Sequence, residues 1–539
     1  MDGQFLIQWE TGTGKCGQVW ASDGEKLLDV LRRNRLFLES ACNANGTCGK
    51  CRVQIIQGRK AESEWEKGFF TEEELAKGYR LSCLVSAEPG LKVRLLDAQA
   101  QTCRWNEASS TGIPKEQKSS INMQMNQQDK LGIAVDLGTT TLAAALLDAK
   151  GNILAQASAV NSQRTYGADV LSRIQAANQG EGKSLQQCIR KDLERLFQEL
   201  CSGSRVQAHV ARIAIAGNTT MLHLLRGYSC QSLGQAPFEP VNLRMECFTY
   251  EELFSEVPEC KGSRVYLLPG LSAFVGADIT AGLYSSVFFD TPATEIACFV
   301  DLGTNGEMAV GNKAGFVTAS APAGPAFEGG NLSCGMPGVP GAISKVSFLY
   351  HRVRIQTVGQ KKPYGICGTG ALEAVAALKK EGLLDDNGLL VPELFEAGLE
   401  LAQREDGSKI CLTQADIREI QMAKAAIRAG LETLFFHFRK GCMDGKTGFE
   451  QISHVYLAGG FGYYLSADTA TEIGLFPAQW KEKIVSCGNT SLKGAAEFLS
   501  DGVNSACLEK LEEISKKNKT VQLAEDKHFQ RIFIERMQF

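Results

Sequence analysis

The chain has 539 residues, 44% apolar and 22% charged, with a formal net charge of −4. Its length suits about three or four domains, and its balance is that of a soluble globular protein. A mildly acidic chain gives no electrostatic footing for nucleic acid or an anionic membrane surface. No window approaches about 18 uninterrupted apolar residues, so no spanning helix is expected. Met1–Glu25 lacks the basic-then-apolar order of a secretory signal, and a cytoplasmic location is expected.

The N-terminal hundred residues open with two short strands, Phe5–Trp9 and Gln18–Ala21, around Gly12, Gly14 and Gly17. Lys26–Arg33 reads as a short helix with Leu27, Leu28, Val30 and Leu31 on its apolar face, and Val53–Ile56 and Leu91–Leu96 as further strands. The chain carries 18 cysteines, most of them scattered singly as small buried hydrophobes in reducing surroundings. Cys42, Cys48 and Cys51 instead form a C-x5-C-x2-C loop with Gly46 and Gly49, and Cys83 follows in Arg80-Leu81-Ser82-Cys83 at an expected strand start. The glycines let backbone N–H groups turn inward toward sulfur. Zinc prefers paired C-x2-C units, and a disulfide set belongs to a secreted chain; four clustered thiolates otherwise suit a [2Fe-2S] cluster. The spacing resembles the adrenodoxin and putidaredoxin type of ferredoxin, a β-grasp fold, over residues 3–98. Residues 99–130, rich in Ser, Gln, Asn and Lys, read as a linker.

The next stretch, Ile133–Thr141, is a short apolar run ending in Asp136, Gly138 and the hydroxyls of Thr139, Thr140 and Thr141. It reads as a buried strand and a tight turn whose N–H and hydroxyl groups can hold phosphate oxygens, with the acid placing Mg²⁺ through water. The pattern recurs at Asp301-Leu302-Gly303-Thr304-Asn305, after the strand Ile296–Val300. Two such turns suggest two related lobes gripping one polyphosphate. Between them, Leu142–Leu147 is a return strand and Ser184–Cys201 an amphipathic helix. Gly217-Asn218-Thr219 and Gly488-Asn489-Thr490 read as matching hinge pieces, one per lobe, where small residues let two helices cross closely.

Late in the chain, Thr413–Phe438 is a long helix with Thr413 and Asp416 suited to its N-terminus. Lys424, in mid-helix, is either a solvated lysine or one that reaches a nucleotide. His454–Gly462 is a strand ending in Gly459-Gly460, where absent side chains leave room for a nucleoside. Asp278 and Glu328 are acids that could orient an attacking water or touch Mg²⁺; a helix-start acid and a turn acid are the bland alternatives. Cys334 and Cys367 lie in glycine-rich turns without C-x2-C partners and read as buried thiols.

The order of these turns, hinges and the Leu457-Ala458-Gly459-Gly460 strand end resembles the acetate kinase, sugar kinase, Hsp70 and actin superfamily. Joined to an N-terminal ferredoxin, the chain resembles the reductive activators of corrinoid proteins. Stretches 268–278, 323–330, 333–336, 365–370 and 529–539 are similar to that family. The resemblance implies a β-grasp ferredoxin (1–98), a linker (99–130) and a two-lobed α/β actin-like ATPase of RNase H-like repeats (131–290 and 291–539). It implies ATP-dependent reduction of Co(II) to Co(I) in a corrinoid protein of a methyltransferase system, with an electron from a low-potential donor. Asp136 and Asp301 would organise Mg²⁺ and water, and the threonines with Asn305 would hold phosphate. A homodimer stays open. The competing expectations are a redox-gated small-molecule kinase, a redox sensor, and an activator of 2-hydroxyacyl-CoA dehydratases; the fused cysteine motif argues against the last.

Overall fold

The computed structural model describes residues 4–11, 16–34, 36, 38, 51–58, 63, 66–67, 69–96, 131–203, 209–286, 288–440 and 452–539. Cys42, Cys48 and the expected linker lie outside them.

The N-terminal module is a five-stranded sheet in the order β2-β1-β5-β3-β4. Strands β1 (Gln4–Thr11) and β2 (Cys16–Ser22) form the expected hairpin, longer at both ends than the sequence suggests. Helix α1 (Leu27–Arg33) buries Leu27, Leu28, Val30 and Leu31 against the sheet. Strand β3 (Arg52–Gln57) is followed by α2 (Glu72–Ala76), a helix the sequence reading missed. Its signal is Thr71-x-x-Glu74, a capping box in which each side chain accepts from the other's backbone N–H, at 3.2 and 2.8 Å. Strand β4 (Tyr79–Leu81) pairs antiparallel with β3, and β5 (Lys92–Leu95) joins β3 to β1, running parallel to β1. Cys83 lies just past β4 instead of opening a strand.

The first lobe is a six-stranded sheet. Strands β6 (Leu131–Leu137), β7 (Thr141–Leu147) and β8 (Ile153–Val160) form an antiparallel meander. Helix α3 (Gly182–Gly203) buries Leu185, Ile189, Leu193, Leu196, Phe197 and Leu200 against it, the face expected from the pattern. Strand β9 (Val210–Gly217) returns parallel to β6 and leads into α4 (Thr219–Arg226). Strands β10 (Glu246–Thr249) and β11 (Arg264–Leu267) complete the sheet, and α5 (Ala277–Ser285) leaves it.

The second lobe repeats the plan. Strands β12 (Ile296–Leu302), β13 (Gly306–Asn312) and β14 (Gly315–Ala321) form the meander. An insertion follows, with the hairpin β15 (Ala342–Leu349) and β16 (Arg352–Thr357), the short β17 (Gly365–Ile366), helix α6 (Gly368–Lys380), and the pair β18 (Leu399–Gln403) and β19 (Lys409–Leu412). Helix α7 (Gln414–Lys440) starts as expected: Asp416 accepts from Thr413 N–H at 2.8 Å and Thr413 Oγ1 from Asp416 N–H at 3.2 Å. Strand β20 (Ile452–Ala458) then lies parallel to β12, and β21 (Ile484–Gly488) parallel to β20. Helix α8 (Thr490–Ser500) follows, and β22 (Asn518–Thr520) closes the far edge.

The sheet orders β11-β9-β6-β7-β8 and β21-β20-β12-β13-β14 are therefore equivalent. This corrects the expected hinge pairing. Gly217-Asn218 ends the strand beside β6, so its counterpart is Gly459-Gly460 at the end of β20, not Gly488-Asn489. The two crossing helices are α5 and α8. Their close approach does rest on small residues: a Cβ on Gly494 would sit 2.0 Å from Ala281 O, and one on Gly282 would sit 2.8 Å from Thr490 Oγ1.

Candidate functional site

Each meander begins with a turn at the bottom of one cleft of about 2230 Å³, lined by Thr140, Thr141, Thr304, Asn305, Glu328 and Gly460 among others. That volume exceeds what a nucleotide needs. At the first turn a Cβ on Gly138 would lie 2.4 Å from Thr141 O, so only glycine fits the tight bend. Behind it, Asn161 donates its N–H to Thr140 O and its Nδ2 to Gly138 O, both at 2.9 Å. Buried Arg173 donates Nη2 to Thr139 O at 2.6 Å. In the second turn Gly303 N–H donates to Asn305 O at 2.9 Å.

Glu328 joins the turns. It ends the one-turn helix Pro325–Glu328, set between Gly324 and Gly329 at φ 76° and 82°. Its Oε2 accepts from Thr304 Oγ1 at 3.0 Å and from Thr140 Oγ1 at 3.4 Å. One carboxylate thus holds the hydroxyls of both lobes.

The other acids lie deeper. Asp136 accepts from Asn489 Nδ2 and Ser491 Oγ, both at 2.8 Å, so the start of α8 clasps the acid of the opposite lobe. Burial still pushes its carboxyl above the usual range, against those two bonds. At the equivalent corner of the second lobe, Asp278 lies in the first turn of α5 and Asp301 near the end of β12. Burial, then the Asp278 and Asp136 charges, push Asp301 up to about 8. Burial and Asp136 push Asp278 up to about 7, although its carboxylate accepts from Ile279 N–H at 2.9 Å. Glu307, which the sequence reading did not single out, is buried beside them on β13 and raised well above its ordinary value by burial and by Asp278 and Asp301. Glu328 is raised by burial too, offset by its two threonine donors and by the Arg164 charge. A cleft that crowds carboxylates against their own repulsion fits a divalent cation. Among the described residues no group of three or more acid, His or Cys side chains is disposed to hold a metal directly. A cation here would keep its waters, as Mg²⁺ does beside phosphates.

Three expectations need correction. Lys424 is neither solvated nor in the cleft. It is buried on α7, donates to Gln538 O and lies 5.2 Å over the Phe539 ring; burial lowers its ammonium to about 7. Mid-helix position cannot reveal which face the C-terminal tail covers. Gly459 does not leave an open space either: at φ +86° its Cβ would lie 2.5 Å from Asp301 Oδ1. Gly460 is the open position, with nothing within 4 Å of its Cβ. These glycines start a short helix, Gly459–Tyr464, whose Phe461 stacks on Phe327 at 5.1 Å between ring centroids. Cys367 is buried, as expected, but Cys334 lines the cleft and is only half-buried.

The N-terminal module offers a second site. Cys51 and Cys83 are both buried, brought together where Ser82 N–H donates to Cys51 O at 2.8 Å. A hydrogen bond from the Cys83 thiol lowers the Cys51 thiol against the effect of burial. Two buried thiols held side by side fit a thiolate-bound cluster; Cys42 and Cys48 lie outside the described residues.

Fold and site together define a ferredoxin fused to an actin-like, sugar-kinase-like two-lobed clamp. The 2Fe-2S iron-sulfur cluster binding domain matches residues 13–88, the RACo middle region residues 131–290, and the C-terminal domain of RACo, the ASKHA domain, residues 295–539. The chain belongs to the RACo family. It is similar to a solved structure described as a reductive activator for corrinoid, iron-sulfur protein, at 26% identity and TM-score 0.68, covering 99% of this chain and 98% of that one. It is 31% identical to the corrinoid activation enzyme RamQ of Eubacterium limosum over 69% of its length and 65% of that protein, so the aligned stretch spans just under two thirds of this relative. It is 28% identical to the [Co(II) methylated amine-specific corrinoid protein] reductase of Methanosarcina barkeri, over 72% of each.

Proposed function

We propose that this chain reduces an inactive Co(II) corrinoid protein of a methyltransferase system to Co(I), one electron at a time, at the expense of ATP. The observation that carries the ATP half is Glu328, which ties the phosphate-type turns of the two lobes together over a crowded set of acids. Residues 1–98 form the electron-transfer module, 99–130 the linker, and 131–290 and 291–539 the lobes. Cys42, Cys48, Cys51 and Cys83 hold the cluster, which supplies a single low-potential electron when bound; a low-potential donor reloads it. Thr139, Thr140, Thr141, Thr304 and Asn305, with Gly138 and Gly303, receive phosphates, and Gly460 leaves room for the nucleoside. Asp301 and Asp278 would hold Mg²⁺ through its waters, while Asp136 is already engaged with the start of α8. Glu328 either orients the attacking water or is displaced from the threonines when phosphate enters. Lobe closure and reopening through α5 and α8 couples hydrolysis to the corrinoid partner's conformation. No helix among the described residues is long and apolar enough to cross a membrane; a cytoplasmic setting is part of the proposal.

The test is anaerobic: purified corrinoid protein, a low-potential reductant and this chain, with and without Mg²⁺ and ATP, followed by the cobalt absorption bands. Co(I) is expected to accumulate only with ATP. Equal Co(I) without nucleotide would leave a plain ferredoxin, and ATP turnover indifferent to the corrinoid protein would favour the redox-gated kinase.

A further inference from the structure

The clamp carries a cation that the motif reading does not assign. Asn161, which takes the carbonyls of Gly138 and Thr140, also caps the one-turn helix Ser162–Thr165 by accepting from Gln163 N–H at 3.0 Å. Asp192 fixes the same turn by accepting from Ser162 N–H at 2.8 Å and Ser162 Oγ at 2.5 Å. Arg173 ties its far end, donating Nε to Gly167 O at 3.0 Å and Nη2 to Thr139 O. Residues 161–167 and the first phosphate-type turn are therefore one rigid piece.

That piece presents Arg164 to the cleft. The side chain is half-buried, lines the cavity with Thr140, Thr304 and Glu328, and has no hydrogen-bond or ion-pair partner among the described residues. Its charge is felt by Glu328. Other cations lining the cleft are placed differently. Arg195 lies 3.9 Å from Asp192, Arg404 donates to Tyr364 O and Ser408 Oγ, and Lys345 is exposed on β15. The carbonyls of the turn are all engaged: in a trans peptide the N–H of each unit opposes its carbonyl. With the carbonyls of Gly138, Thr139 and Thr140 taken by Asn161 and Arg173, the N–H groups of Thr139, Thr140 and Thr141 point away from those partners.

We infer that Arg164 is a further catalytic residue of the clamp, a guanidinium that contacts the terminal phosphate of a bound nucleoside triphosphate. The inference rests on the ATP reading above. As water oxygen bonds to the terminal phosphorus, the bond to the β,γ-bridging oxygen breaks, leaving nucleoside diphosphate, inorganic phosphate and a proton. Charge on the terminal phosphoryl oxygens and the bridging oxygen then sits among Asp278, Asp301, Glu307 and Glu328, and Arg164 offsets it. A planar guanidinium donating to two oxygens suits this better than an ammonium.

The test uses the full chain with its cluster. Arg164→Gln and Arg164→Lys are titrated calorimetrically with Mg²⁺ and either ADP or a non-hydrolysable ATP analogue, and corrinoid-stimulated hydrolysis is measured. Arg164→Gln is expected to weaken the analogue about tenfold, leave ADP within about twofold, and lower hydrolysis about 10³-fold, as loss of a phosphate-facing arginine does. Arg164→Lys should recover part of both, and serves alone should the glutamine variant fail to retain the visible cluster spectrum. Equal weakening of ADP and analogue, or unchanged hydrolysis, overturns the assignment. Wild-type chain that binds neither nucleotide overturns the ATP reading itself, and this inference with it.

Discussion

The two lobes repeat one strand order, yet they finish their equivalent corners in opposite ways. At the first, Asp136 meets an amide and a hydroxyl from α8. At the second, Asp301 is raised by burial and then by the charges of Asp278, on α5, and of Asp136. Neutral donors satisfy a carboxylate with no further ligand. Facing acids need a shared proton or a cation, because like charges in a dry site cannot both ionise cheaply. The first corner is thus clasped by neutral donors and the second keeps the acids that burial and neighbouring charge leave raised, although the motif Asp-Leu-Gly-Thr is the same in both.

The largest test of this difference is Asp301→Asn. It removes charge from the cation side and is expected to lower corrinoid-stimulated ATP hydrolysis and Co(I) formation about 10²- to 10³-fold, while the cluster still takes up an electron. Normal Co(I) formation would remove the clamp as the energy source. The clasp is tested by Asn489→Ala, which strips one donor from a buried carboxylate. A loss of about 1–3 kcal/mol in unfolding free energy is expected, together with slower turnover. In an Asp136→Asn background the same change should cost much less, and full additivity in that double-mutant cycle would deny the clasp.

Gly459→Ala probes the wall behind Asp301. With φ at +86°, alanine there is expected to cost about 1–2 kcal/mol and to raise the Mg²⁺ concentration needed for activity. Gly460→Ala, in open space, should leave the melting temperature within a degree or two. Equal effects of the two would mean that both face the same surroundings.

The smallest effect is a pH slope. Asp301 near 8 and Asp278 near 7 stand far above the unfolded value of about 3.9, so the folded chain binds more protons between those limits. Their penalty is absent below about pH 4, grows as pH rises, and is complete above about pH 8. The melting temperature of nucleotide-free wild type should therefore fall more steeply from pH 5 to 8 than that of Asp301→Asn, and saturating Mg²⁺ and ATP should flatten the difference. Parallel slopes would mean that the acid corner is not strained.

Much of this was legible in the chain because it is written locally. The α3 face shows in the spacing of Leu185, Ile189, Leu193 and Leu196, and both phosphate-type turns show as an apolar run ended by acid, glycine and hydroxyl. Cys51 and Cys83 announce a cofactor by spacing, and the start of α7 by Thr413-x-x-Asp416. What tertiary structure decided is which local pieces meet. Gly-Asn-Thr occurs twice, but only strand order tells that one ends β9 and the other starts the hinge helix. Asp136 finds Asn489 and Ser491 across more than 350 residues, and Lys424 finds the tail carbonyl of Gln538. Glu328 becomes a bridge only because a one-turn helix lies between two lobes. Sequence sets each residue's chemistry and local conformation, but partners so far apart in the chain leave no periodicity, and only the folded backbone brings them within hydrogen-bonding reach.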